Sequence, residues 1–257
     1  MKILISNDDG MESHGIHSLA KNLKKLGEVT VVAPHRERST AGHSLTLHKP
    51  LRITNLGDGK YATSGTPADC IYLGMREVMK SLPDVIVSGV NRGANLGTDI
   101  HYSGTVAAAR EGALMNIPSY AFSLVDLSQT LPNYPHETFR FEMAGEIALE
   151  VLQKTIDIKF PAHTLLNINI PNMDRSEIKG MKITRQGFRF YSNEVSRRSD
   201  PRGKDYYWLG GHYLRFEGGE DTDCHVLNDG YVTITPITID CTHNQFYATL
   251  VASAFND

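Results

Sequence analysis

The segment from Lys2 to Pro34 constrains the fold most. Ile3-Leu4-Ile5 is a short apolar run stopped by Asn7-Asp8-Asp9-Gly10, and from His17 to Leu26 apolar residues return at Leu19, Leu23 and Leu26 with lysines between. The first pattern reads as a buried strand and the second as a helix. Gly27 ends that helix, and Glu28 to Ala33 is a β-branched run closed by Pro34, which completes one βαβ unit. Strands joined through a helix lie parallel, and a parallel sheet is covered on both faces.

The same alternation continues. A basic and polar loop from His35 to His48 leads to a hairpin, Leu51 to Leu56 and Lys60 to Thr63 around Gly57-Asp58-Gly59, which is expected to be an insertion. From Pro67, the positions of Ile71, Leu73, Met75, Val78 and Met79 predict a helix, and Asp84 to Ser88 predicts a buried strand ended by Gly89. Ser103 to Met115 is Ala-rich and helical, and Pro118 to Val125 is strand-like. The pattern predicts an α/β protein with a doubly wound, mostly parallel open sheet between helices. Beyond Leu131 the texture changes. A Pro-rich piece, Leu131 to Pro135, precedes a helix around Glu137 to Thr155, and strands are expected at Thr164 to Ile170, Lys179 to Arg185, Tyr206 to Phe216 and Tyr231 to Ile237. Glu217 to Gly230 reads as a long loop and Thr242 to Ala254 as a helical tail. The expected organisation is a core over 1–130 and a β-rich part over 131–257 that completes it within a single unit.

Composition narrows the partners. The 257 residues are 40% hydrophobic and 21% charged, which suits a packed globular core and excludes disorder and coiled coil. Lys plus Arg total 26 against 29 Asp plus Glu, a net charge of -3, which argues against a broad nucleic-acid footprint. Cys70, Cys224 and Cys241 lie far apart and form no C-x-x-C, so neither a disulfide framework nor a thiolate zinc site is indicated. The first apolar run is too short for a signal sequence, and no apolar stretch approaches the ~18 residues of a membrane span, so a cytoplasmic protein is expected.

In an open parallel sheet, ligands gather outside the carboxyl ends of the strands. Four polar clusters fall there or at a helix start: Asn7-Asp8-Asp9-Gly10, Arg38 to Ser44, Asn91 to Gly97, and Tyr102-Ser103-Gly104-Thr105. Adjacent carboxylates at the end of a buried strand repel each other, and a divalent cation would resolve the repulsion. Read alone, Asp8-Asp9-Gly10 is equally a solvated Asx turn. Ser39 and Asn91 could add neutral oxygens, giving an all-oxygen set suited to Mg²⁺ or Mn²⁺, although each is also an ordinary loop residue. Ser103 to Thr105 precedes a helix, so its hydroxyls and free N–H groups could take a phosphate, or Ser103 could simply cap. The glycine spacing is neither a P-loop nor G-x-G-x-x-G. The histidines near these loops, His14, His35, His43 and His101, each read first as surface or supporting residues, and His43 and His101 are the exceptions that could serve as a general acid for a leaving oxygen.

The ordered motifs Ser6-Asn7-Asp8-Asp9-Gly10, Arg38-Ser39 with Gly42 to Thr46, Gly65-Thr66-Pro67-Ala68-Asp69-Cys70, Ser88 to Gly97, and Tyr102 to Ala109 resemble those of the SurE survival-protein family. Asp200-Pro201-Arg202-Gly203, Thr222-Asp223 and Asp229 to Pro236 extend the likeness over nearly the whole chain. The resemblance implies a Rossmann-like core and a C-terminal hairpin and helix extension used to form a homodimer or homotetramer. It implies metal-dependent hydrolysis of nucleoside 5'- and 3'-monophosphates, and in some members of short polyphosphate. It places one Mg²⁺ or Mn²⁺ per subunit on Asp8, Asp9, Ser39 and Asn91, and assigns the phosphate pocket to Asn95, Ser103, Gly104 and Thr105. The catalytic set by this reading is Asp8, Asp9, Asn95, Ser103 and Thr105, acting on a small nucleotide without stable nucleic-acid or membrane partners. Met11 to Gly15 and Thr40 depart from the family pattern, outside the ligand set. The rival reading is a non-catalytic nucleotide or phosphate sensor using the same pocket.

Overall fold

The structure, a computed structural model, describes residues 1–129 and 138–254. The Pro-rich piece from Leu131 to Pro135 and the expected helix start at Glu137 lie outside the described residues. In chain order the elements are β1 (Lys2–Ser6), α1 (His14–Leu23), β2 (Glu28–Pro34), β3 (Ile53–Gly57), β4 (Lys60–Thr63), α2 (Pro67–Leu73) and β5 (Val85–Arg92). There follow α3 (Gly104–Leu114), β6 (Ser119–Val125), α4 (Phe141–Thr155), β7 (Thr164–Pro171), β8 (Met181–Ile183) and β9 (Phe188–Tyr191). The chain continues through β10 (Glu194–Ser199), β11 (Asp205–Gly210), β12 (Tyr213–Glu217), α5 (Asp223–Asn228), β13 (Val232–Thr238) and α6 (Asn244–Ala254).

A nine-stranded sheet runs in the order β3-β4-β2-β1-β5-β6-β7-β13-β8. From β4 to β7 every neighbouring pair is parallel, while β3 and β13 pair antiparallel to β4 and β7. The chain winds outward from β1 to β4 and then returns to β5 on the other side of β1, so the winding reverses between β1 and β5. The carboxyl end of that boundary is where this architecture opens a crevice. The alternation along each strand sorts the core into two layers. Ile3, Ile5, Val85 and Val87 pack with Ile16, Leu19 and Leu23 of α1 and with α4, while Leu4, Val32 and Ile86 face Ile71 and Met75 on the other side.

Several expectations are corrected. The helix after β1 begins at His14 rather than His17, because Ser13 caps it by accepting the Ile16 N–H at 3.4 Å. The hairpin is no insertion: β4 joins β2 in parallel and β3 forms the sheet edge. The predicted helix to Met79 is α up to Leu73 and then one π-helical turn over Gly74–Val78, closed by Met79 N–H on the Gly74 carbonyl at 2.9 Å. The expected strand Tyr206 to Phe216 breaks at Gly210-Gly211 into β11 and β12, which pair with β10 and β9 as two separate ribbons. The expected loop from Glu217 to Gly230 contains α5. Among the described residues, no helix is long and apolar enough to cross a membrane.

Candidate functional site

Asn7 shapes the loop that leaves β1. Fully buried, it donates through Nδ2 to the Gly10 carbonyl at 2.9 Å and to Ser13 Oγ at 2.7 Å, and it accepts the Gly10 N–H at 3.2 Å. This folds the chain back sharply and leaves Asp8 and Asp9 at the strand end, beside the carboxyl end of β5. Asp8 is 5% exposed and faces the first turn of α3. The Thr105 hydroxyl donates to Asp8 Oδ1, and a Cβ on Gly104 would stand 2.7 Å from that of Asp8, so only glycine lets the helix come this close. Ser103 caps α3 by accepting the Val106 N–H at 3.0 Å. The turn expected to offer free donors to a phosphate is therefore already shared with the Asp8 carboxylate.

Burial pushes the Asp8 carboxyl above its ordinary value, and the Thr105 hydroxyl and the amides of the same turn pull it partly back. Asp9 is pushed up to about 6, first by burial and then by the charge of Asp8; the Arg92 N–H, 3.2 Å from Asp9 Oδ2, opposes the rise. Among the described residues neither carboxylate has an ion-pair partner. Asn91 stands at the end of β5 and donates through Nδ2 to the Gly93 carbonyl at 3.0 Å, which leaves its carbonyl oxygen to serve as a donor atom for a cation. Ser39 is exposed, with its hydroxyl on Glu37 Oε1 at 2.6 Å. No group of three or more His, Cys, Asp or Glu side chains that could hold a metal occurs among the described residues. The oxygen set of two carboxylates, an amide carbonyl and a hydroxyl fits a hard divalent cation and not a thiolate or imidazole metal.

These residues border a cleft of about 920 Å³ lined by Asp8, Ser39, Asn91, Asn95 and Ser103 on one side. Asp9 faces an adjoining hollow, and Ser39 and Arg92 line both. Asn95 is locked in place. Asn169 accepts its N–H at 2.9 Å and donates to its carbonyl at 3.0 Å, Asn167 donates to the same carbonyl at 2.8 Å, and the Asn95 side chain donates to Ser123 Oγ at 2.8 Å. His101 is exposed and lines the cleft, whereas His43 lies outside that lining, 2.9 Å from the buried Glu111 carboxylate. His35 packs its ring nitrogen on the Thr63 carbonyl at 2.8 Å, and His14 stacks on Phe141. The Gly65 to Cys70 motif is structural: Asp69 accepts the Thr46 N–H at 2.9 Å and the Thr66 hydroxyl donates to the Ser44 carbonyl at 2.7 Å, which secures the loop that carries Ser39 and His43.

The opposite side of the cleft was not foreseen. It is β9, whose Phe188, Arg189, Phe190 and Tyr191 line the cleft. Arg189 Nη1 is 2.5 Å from Asp99 Oδ2, the Tyr191 hydroxyl donates to the same oxygen at 2.8 Å, and the guanidinium sits 4.4 Å from the Tyr213 ring centroid. Burial raises the Asp99 carboxyl, and Arg189 draws it back. The alternating Phe-Arg-Phe-Tyr at 188–191 was the signal available for this short strand.

A family model described as Survival protein SurE matches residues 3–193, three-quarters of the sequence and both sides of the cleft. The chain belongs to the SurE family. It is 44% identical over 253 residues to the 5'-nucleotidase SurE of Syntrophotalea carbinolica, covering 97% of this chain and 96% of that one. To the 5'-nucleotidase SurE of Pelobacter propionicus it is 46% identical over 243 residues, 95% of each. The crystal structure of the SurE protein from Aquifex aeolicus matches this SurE chain with a TM-score of 0.84 and 40% identity, over 98% of this chain and 99% of that one. The doubly wound sheet and its strand-rich C-terminal region are thus the fold of a SurE protein.

Proposed function

We propose that this SurE chain is a metal-dependent 5'-nucleotidase that hydrolyses nucleoside monophosphates to nucleoside and phosphate. The observation that carries the reading is the pair of unneutralised carboxylates, Asp8 and Asp9, at the sheet's switch point beside a cleft with one polar and one aromatic side. Asp8, Asp9, Ser39 and Asn91 would hold one Mg²⁺ or Mn²⁺ per subunit. When bound, such an ion polarises a phosphoryl oxygen and favours ionisation of the attacking water. Asn95 and Ser103, with the backbone N–H groups of Gly104 and Thr105 behind them, offset charge on the equatorial oxygens of the phosphoryl group, while the Thr105 hydroxyl is spent on keeping Asp8 oriented. Water attacks phosphorus directly, the P–O5' bond breaks, and the nucleoside oxygen leaves with a proton. Phe188 and Phe190, whose ring centroids lie 4.9 Å apart at an interplanar angle of 41°, give the base an apolar wall to pack on. The activity for which the relatives are named supports the 5' position; the wider resemblance extends the proposal to 3'-monophosphates and short polyphosphate.

The exposed aromatic and apolar residues of β11, Tyr206, Tyr207, Trp208 and Leu209, support assembly into a homodimer or homotetramer. A cytoplasmic setting suits three free thiols. The test is inorganic phosphate release from a panel of nucleoside monophosphates and tripolyphosphate by chelator-stripped protein, with Mg²⁺, Mn²⁺ or nothing added back. Release that requires metal is expected. Silence across the panel with nucleotide binding retained would replace the enzyme with a sensor.

A further inference from the structure

We propose that Asp223 is a positioning residue for the nucleoside half of the cleft, tying the loop after Asn95 to β9 through one buried carboxylate. The proposal rests on the nucleotidase reading above. Asp223 opens α5, lies outside the span of the family match, and is 0% exposed. Its Oδ2 accepts the Gly97 N–H at 2.8 Å, and its Oδ1 accepts the Gly187 N–H at 2.8 Å as well as that of Cys224 at 2.8 Å. Gly97 follows Asn95 on one side of the cleft, and Gly187 stands immediately before Phe188 on the other. One carboxylate thus joins the two at the start of β9. Hydrogen bonds to an ionised acceptor are stronger than neutral ones, and a buried carboxylate satisfied by N–H donors makes a stiff joint.

The approach of the two backbones leaves room for little else. Gly97 has φ +52°, and a Cβ there would lie 2.9 Å from the Gly187 carbonyl oxygen. Other ties run alongside: Gln186 Nε2 donates to the Gly97 carbonyl at 3.1 Å, the Thr98 hydroxyl donates to the Arg189 carbonyl at 3.2 Å while accepting the Arg189 N–H at 3.3 Å, and Asp99 holds Arg189 and the Tyr191 hydroxyl further along the strand. The phosphate end of the loop does not depend on this joint, because Asn169 and Asn167 hold the Asn95 peptide from β7. Loosening Asp223 therefore frees the Gly187–Phe188 end of β9, while Asp99 keeps the Arg189–Tyr191 end in place, and it leaves Asp8, Asn91 and Asn95 where they are.

The test uses the two halves of the substrate separately. Adenosine and inorganic phosphate are titrated by calorimetry into the full chain with Mg²⁺ present, wild type and Asp223→Asn, and KM and kcat are measured on adenosine 5'-monophosphate. The carboxamide keeps the size of the side chain but sets an NH₂ against at least one of the three backbone N–H groups. Adenosine affinity is expected to fall about tenfold and KM to rise by the same factor, with phosphate affinity and kcat within about twofold of wild type. Equal weakening of both ligands, or of neither, overturns the proposal. If Asp223→Asn does not fold, hydrogen exchange of the wild type decides the matter: the Gly97 and Gly187 amides, both held by Asp223, are expected to exchange about tenfold more slowly with adenosine bound and to be unmoved by phosphate, and an equal response to the two ligands, or none, overturns the proposal. A wild type that releases no phosphate from the nucleotide overturns the nucleotidase reading instead, and the adenosine and phosphate titrations still report on the joint.

Discussion

Along one side of the cleft Asp8 and Asn91, with Asp9 turned to the adjoining hollow, spring from β1 and β5, whose apolar residues Ile3, Leu4, Ile5, Val85, Ile86 and Val87 are all 0% exposed. Across from them, β9 is a four-residue strand paired only with β12 in a two-stranded ribbon, and its Phe188 and Tyr191 are 51% and 41% exposed. The first side is held by the central sheet of the molecule, with side chains fixed by hydrogen bonds inside the core. The second is a light ribbon whose position depends on a few long-range ties. Chemistry that needs groups held to a fraction of an ångström belongs on the first, and recognition of a flat, variable base tolerates the second.

Replacement of Asp8 or Asp9 by Asn attacks the rigid side directly and has the largest effect: metal-dependent phosphate release is expected to fall by about 10³-fold or more, with the fold intact. The thermal midpoint of the metal-free variants at pH 7 is expected to equal or exceed that of wild type. Both acids have raised values in the folded protein, so the folded state binds protons that the unfolded chain has released, and stability falls as pH rises through this range, for Asp9 from the ordinary 3.8 to about 6. At pH 7 each carboxylate is a cost that only a cation offsets. Full activity in both variants would show that the site is elsewhere.

Gly104→Ala comes next. Its Cβ pushes on Asp8, so turnover is expected to drop about a hundredfold and stability by about 1–3 kcal/mol, measured by kcat and urea unfolding. The pH dependence of metal affinity follows: because Asp9 must be deprotonated to bind, affinity for Mn²⁺ is expected to weaken on the order of tenfold for each pH unit below about 6, with proton release on binding above the ordinary carboxylate range. An affinity flat from pH 5 to 7 would remove Asp9 from the ligand set. Phe190→Ala touches the ribbon alone and gives the smallest change, a rise in KM for a nucleoside monophosphate of about fivefold with kcat preserved, since a base stacked on an aromatic ring contributes about 1–3 kcal/mol. A fall in kcat without a change in KM would deny the ribbon its recognition role.

The rigid side was legible because its signals are local. Ile3-Leu4-Ile5 and the stop at Asn7 to Gly10 mark strand and turn within a few residues, and Asp8-Asp9 advertises an electrostatic problem in the sequence itself. The second side was hidden because its signals are not. β9 is too short for its alternation to outweigh Arg189 at its centre, and α5 spans only Asp223–Asn228 inside a Gly- and Asp-rich stretch. The link from Thr105 to Asp8 and that from Asp223 to Gly97 cross 97 and 126 residues of chain, separations at which residue spacing says nothing about contact. The hairpin was misread as an insertion for the same reason: its own turn is local, but its parallel register with β2, Val31 opposite Lys60, is not.

The most direct test of the carboxylate pair is a calorimetric titration of Mn²⁺ into chelator-stripped wild type and Asp9→Asn at pH 7. One ion bound per chain in the wild type, with none in the variant, is the predicted result. Equal binding by the two proteins would contradict it.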